Sequence, residues 1–138
     1  MQTYGPFDAV VSGYSVHHQP DERKQEIYQE IFGLLQPGAW FVNIEHVSSV
    51  ATTNIELFED HYIFARYAIE KNNGGTRTFE QISEEYKNRS DKAANLLAPV
   101  ELQCDWLREI GYQEVDCYFR IYELAVFAGR KPNPRSSI

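Results

Sequence analysis

The chain has 138 residues, 43% of them hydrophobic and 24% charged, with a formal net charge of −7 from 13 basic and 20 acidic side chains. That size and composition describe one globular domain, burying roughly 70% of its unfolded surface, and argue against a disordered chain. The acidic balance, with no dense Lys/Arg block, argues against a broad phosphate-binding face on the chain itself, and no apolar run reaches the ~20 residues of a membrane span.

Residues 1–6 carry no signal-peptide pattern, so the expected compartment is the cytoplasm. Residues 7–12 are mostly apolar with two central valines and read as a short buried strand. Residues 13–19 form a polar loop holding His17 and His18. Pro20, Asp21 and Glu22 open a helix, with Pro in the first turn and acids at the positive end of the dipole. Ile27, Ile31, Leu34 and Leu35 follow at helical spacing, Tyr28 and Phe32 widen the stripe, and Pro37-Gly38 ends it.

Residues 39–47 read as a second strand. Ala39-Trp40-Phe41-Val42 is continuously apolar, as expected of a strand covered on both faces, and its far end carries Asn43, Glu45 and His46. A right-handed βαβ unit sets the two strand ends side by side. A helix over 54–71 places Ile55, Phe58, Tyr62, Ala65 and Ile69 on one stripe. Thr78 to Gln81 spells a capping box that opens a short helix through about 89, with a light apolar face of Phe79, Ile82 and Tyr86.

Pro99 begins a fourth helix, with Val100, Cys104 and Leu107 in line, Leu102, Trp106 and Ile110 beside them, and Gly111 as terminator. Residues 114–119 alternate like a strand through Val115, Cys117 and Phe119. Residues 121–128 are apolar apart from Glu123, so a tight hairpin is expected around Arg120. Residues 131–138 are a polar tail, expected to be flexible. Cys104 and Cys117 are expected to be free thiols.

Two stretches carry a family resemblance: FDAVVSGYSVHHQPDERKQEIYQEIFGLLQPGAWFVNIEHV (7–47) and ELQCDWLREIGYQEVDCYFRIYELAVFAGRKP (101–132). Together they resemble the C-terminal half of a class I S-adenosylmethionine-dependent methyltransferase. The resemblance implies an α/β fold: a partial Rossmann-like methyltransferase sheet with strands equivalent to 4-5-7-6, flanking helices, a helical insertion at about 52–89 and a C-terminal antiparallel hairpin. One partial domain would span 1–130. The family's first strand, Gly-rich turn and ribose-binding acid do not appear in this sequence; Gly74-Gly75 follows a helix and is no substitute. The expectation is therefore a truncated methyltransferase that binds S-adenosylmethionine weakly or not at all alone and is inactive in isolation.

By resemblance Ser12, Gly13, Tyr14 and His17 lie where such enzymes pass their cofactor. Glu45 and His46, at the second strand's end, are candidates for a catalytic base should the acceptor have to lose a proton. Tyr62 and Arg66 on the insertion are candidates for substrate contact. No metal site is expected, since adjacent histidines rarely converge on one ion and no HExxH or cysteine cluster is present. The expected partner is a small-molecule methyl acceptor rather than nucleic acid. The apolar strand 7–12 is expected to pair its free edge with a second copy or with an N-terminal half. The competing reading is a non-catalytic module that dimerises or completes a partner through that edge.

Overall fold

A computed structural model describes residues 4–134. Its first strand, β1 (Phe7–Gly13), runs parallel to β2 (Leu35–His46), joined by helix α1 (Asp21–Leu34). The register pairs Val10 with Phe41 and Gly13 with Ile44, so both strands end together. Helices α2 (Thr52–Asn72) and α3 (Phe79–Lys87) follow, then α4 (Val100–Ile110) and the hairpin β3 (Gln113–Ile121) and β4 (Leu124–Arg130). The mixed sheet is ordered β1-β2-β4-β3, with β4 inside against β2 as the resemblance implies. Among the described residues no helix is long and apolar enough to cross a membrane.

Side chains on β2 alternate. Ala39, Phe41, Asn43 and Glu45 are buried beneath α1 and α4, whereas Trp40, Val42 and Ile44 on the other face are only half-buried. The expectation of a strand covered on both faces is corrected to one covered face among the described residues. The core joins Tyr28, Phe41, Leu107, Tyr112 and Phe127. A polar thread crosses it: the Tyr28 hydroxyl donates to Gln103 Oε1 (2.5 Å) and accepts from Asn43 Nδ2 (3.2 Å), and Gln103 Nε2 donates to the Ala98 carbonyl (3.0 Å). Tyr28, Gln103 and Asn43 Nδ2 thereby gain partners that offset desolvation, whereas Asn43 Oδ1 stays buried without one.

Several elements differ from the sequence reading. Helix α1 stops at Leu34, and β2 starts at Leu35, four residues before the expected Ala39. The residue before Pro37 disfavours helix, Leu35 is buried while Leu34 is exposed, and Lys131 Nζ caps the helix by donating to the Phe32 and Leu35 carbonyls (both 2.9 Å). Lys24, in the first turn of α1, is 1% exposed. Its ammonium sits on Asp21 Oδ1 (2.9 Å) and the Leu96 carbonyl.

In α2 the expected stripe does not form the buried face. Only Phe58 and Ile63 are buried, while Ile55, Tyr62, Ala65 and Ile69 remain exposed. The helix packs against α3 rather than the sheet, and so narrow a partner covers a narrow strip. The capping box at Thr78 and Gln81 forms in both directions (3.2 and 2.8 Å).

In α4, Gln103 is buried where Leu102 was expected; Gly111, at φ 120°, ends it as anticipated. The hairpin turns at Tyr122-Glu123, not at Arg120, because Ile121 pairs with Leu124. Tyr122 takes the left-handed conformation (φ 53°) that such a two-residue loop requires. A register shift between Cys117 and Phe119 turns Phe119 outward. Cys104 and Cys117 are free thiols. In the expected tail, Lys131 pairs with Gly38 and Ala39 through its backbone (2.9 Å each); 135–138, like 1–3 at the other end, lie outside the described residues.

Candidate functional site

The end of β1 runs on through Tyr14, whose N–H donates to the Ile44 carbonyl (2.8 Å) before the backbone reverses at a left-handed φ of 52°. A 3₁₀ turn, Val16–His18, then leads into α1. Alternation along β2 puts Glu45 on the buried face, directly under this turn, where it is 1% exposed. Its Oε2 accepts from the Val16 and His17 amides (3.1 and 3.2 Å). Its Oε1 accepts from the His46 amide (3.2 Å) and faces His17 Nδ1 in a close hydrogen bond. The carboxylate thus clamps the loop to β2 and fixes the His17 ring.

Among the described residues, His17 Nε2 makes no hydrogen bond. His18 Nδ1 lies 3.2 Å from the Ala94 carbonyl, and both adjacent imidazoles border the same hollow. The chain between α3 and α4 returns across these strand ends: the Leu96 amide donates to the His17 carbonyl (2.8 Å) and the Ser48 amide to that of Ala98 (3.1 Å).

His46 stands between the rings of Phe58 (5.1 Å) and His17 (6.0 Å). Burial holds its pKa down at about 4, helped by the nearby His17 and Arg89 against the pull of Glu45. Its Nε2 is buried without a hydrogen-bond partner, 3.6 Å from Glu123 Oε1. Burial pushes the Glu123 carboxyl upward, opposed by the Ser49 amide on its Oε2 (3.0 Å).

Two adjoining hollows open above these groups. One, of about 360 Å³, is lined by Tyr14, His17, His46, Tyr62 and Tyr86 among others. The second, of about 260 Å³, reaches down to Glu123 and Ser49. They share His46, Phe58, Tyr86, Arg89 and Asn95 as common walls.

The expected site residues therefore separate. Tyr14, His17, His46 and Tyr62 line the cleft; Glu45 lies beneath it; Ser12 and Gly13 lie on β1 just before Tyr14. Arg66 lines neither hollow. Its guanidinium lies 5.9 Å from the Tyr62 ring centre, and it borders separate hollows beside α3. Arg89 occupies the cleft instead, stacked 4.0 Å over Tyr86 and 3.5 Å from Asp91. Sequence reasoning missed Arg89 and Glu123. The latter had one signal, as the sole charged residue in an apolar run.

For a cofactor, the β1 end offers one wall. A Cβ on Gly13 would meet nothing within 4 Å, and Tyr14 presents a ring that is 53% exposed. Among the described residues β1 pairs with β2 alone, and its other side bears no strand. These groups form one open wall rather than a closed site.

No family model and no curated protein matches the chain. Solved structures do match. An O-methyltransferase family protein from Burkholderia thailandensis is 13% identical with a TM-score of 0.58, over 94% of this chain and 32% of that one. The S-adenosylmethionine-dependent methyltransferase SibL in its apo form is 13% identical with a TM-score of 0.60, over 96% and 33%. Human N-acetylserotonin methyltransferase in complex with SAM is 10% identical with a TM-score of 0.56, over 91% and 30%. The chain spans about a third of the length of each. With its strand order and the pairing of its strand ends, this likeness gives the chain a class I methyltransferase-like fold in its C-terminal-like portion.

Proposed function

We propose that this chain is the acceptor-binding portion of an S-adenosylmethionine-dependent methyltransferase acting on a small molecule, and that His17 Nε2 takes the proton from a protic acceptor. The observation that carries the reading is the His17–Glu45 pair at the joined strand ends. A carboxylate on Nδ1 fixes the ring and its tautomer and leaves the lone pair on Nε2. The cofactor, when bound, supplies an electrophilic methyl group. This chain's own residues orient the acceptor, remove its proton and exclude water. Two readouts test the reading together. Long-range ¹⁵N correlation spectra at pH 8 are expected to show His17 in the Nδ1–H tautomer, and an Nε2–H tautomer would remove the base. Calorimetric titration with S-adenosylmethionine is expected to give no saturable binding to this chain below millimolar, because one wall of the cofactor site is a small part of the whole. A micromolar dissociation constant would overturn the partial-site reading.

A second reading rests on β1. Val11 is 65% exposed on a strand that, among the described residues, pairs on one side. Open edges of that kind take up further strands. We infer that β1 is completed by a second copy or by a separate N-terminal half, whether or not the assembly is catalytic. Native mass measurement is expected to show a species larger than the monomer, with slow amide exchange at Val10 and Val11. A monodisperse monomer with fast exchange there would end this reading.

A further inference from the structure

The lobe of the cleft beyond His46 holds a polar pair that the base at His17 does not use. His46 Nε2 is buried with no hydrogen-bond partner, and Glu123 Oε1 stands 3.6 Å away, outside direct hydrogen-bonding range. An orphaned buried ring nitrogen costs free energy that a suitably placed polar group recovers. Phe58, Ile55 and Leu97 give the same hollow of about 260 Å³ an apolar wall, with Lys92 and Asn95 also lining it.

We propose that His46 Nε2 and Glu123 Oε1 anchor one hydroxyl of an uncharged, largely apolar small molecule, which makes them the specificity determinant of the acceptor site. This rests on the methyltransferase reading and names its substrate class.

The chemistry of the pair selects the group. At neutral pH the buried imidazole is uncharged, with one N–H and one lone pair. A hydroxyl accepts from Nε2–H of the ring and donates to the carboxylate, so it bridges the pair when the ring holds its proton on Nε2. A carboxylate at this position would stand against the Glu123 carboxyl itself, while Glu59 and Lys92 elsewhere in the hollow offset one another. Nor does Arg89 invite one, since its guanidinium is already on Asp91 (3.5 Å), the Tyr86 ring and the Tyr86 carbonyl (2.8 Å). An apolar group of the same shape would leave both protein atoms unpaired, and sites built to hydrogen-bond a hydroxyl reject analogues lacking it strongly. The His17 and His46 ring centres are 6.0 Å apart. The anchored hydroxyl and the atom facing His17 are therefore two positions on one substrate.

Three probes on one ethylphenyl frame test the proposal by NMR titration of the full chain: 4-ethylphenol, ethylbenzene and 4-ethylbenzoate. The phenol is expected to bind at least ~10-fold tighter than the other two and to shift the His46 ring nitrogens. Glu123→Leu is expected to cut phenol affinity ~10-fold and leave ethylbenzene within ~2-fold, and Glu123→Gln to keep most of the preference. His17→Gln is expected to leave the preference in place, which separates this proposal from the His17 base. No preference for the phenol, a preference that survives in Glu123→Leu, or one lost in His17→Gln would each overturn it.

Discussion

Glu45→Ala is expected to lose roughly 3–5 kcal/mol of folding stability, read as a lowered urea midpoint by circular dichroism. A typical domain has only about 5–15 kcal/mol in total, so much of the fold's margin rests on one carboxylate. The reason is the number of donors it serves. The amides of Val16, His17 and His46, together with the His17 ring, all point at its two oxygens. Alanine leaves those donors buried with nothing to accept from them, and opens a cavity beneath the 3₁₀ turn. Glu45→Gln keeps one acceptor oxygen but aims an NH₂ at N–H groups, so its loss is expected to be smaller, about 1–3 kcal/mol. Amide exchange at Val16 and His17 is expected to accelerate in both variants. A loss below about 1 kcal/mol in Glu45→Ala would show that the loop is held by something else.

Acid is expected to destabilise the protein through His46. Its folded pKa is about 4, below the ordinary imidazole value of about 6.5. Between those values the unfolded chain binds the proton and the folded chain does not. The contribution is therefore fully present above about pH 6.5 and is lost as pH falls towards about 4, with an upper bound of roughly 3 kcal/mol. Glu123 works the other way. A carboxyl pushed upward by burial takes up its proton more readily when folded, which favours the folded state on acidification. Comparing denaturant midpoints of the wild type and His46→Gln from pH 7 to 4 isolates the histidine. The variant is expected to lose markedly less stability over that range, and parallel curves would sink the assignment.

Much of the fold is legible in the chain because local chemistry dictates it. The span of the valine-centred strand that becomes β1, the Thr78–Gln81 capping box and Gly111 after α4 each depend on residues within a few positions of one another, but the burial expected of β1 is not met, since Val11 is 65% exposed on a strand that, among the described residues, pairs on one side. The errors arise where a distant partner decides. Nothing beside Lys24 in the sequence marks it as buried, and the Leu96 carbonyl, far along the chain, draws it inside. Gln103 is buried because Tyr28 and Ala98 supply its partners. The α2 stripe failed because its periodicity describes a face without saying what covers it: of the residues on α2 only Phe58, whose ring lies against His46, and Ile63 are buried.

The site divides along the same line. That His17, Glu45 and His46 belong near one another follows from two parallel strands whose ends register together, an arrangement the βαβ order imposes by itself. The sequence also carried the resemblance, and with it the sheet order that the structure then displays. Which carboxylate holds which imidazole was decided by tertiary structure alone. Strand alternation turned Glu45 under the loop, while the hairpin turn brought Glu123 from far along the chain to within 3.6 Å of His46. Hydrophobic spacing reports which face of an element is buried. The hydrogen bonds that give a buried polar group its role come from other segments, and their placement is fixed only when the core has closed around them.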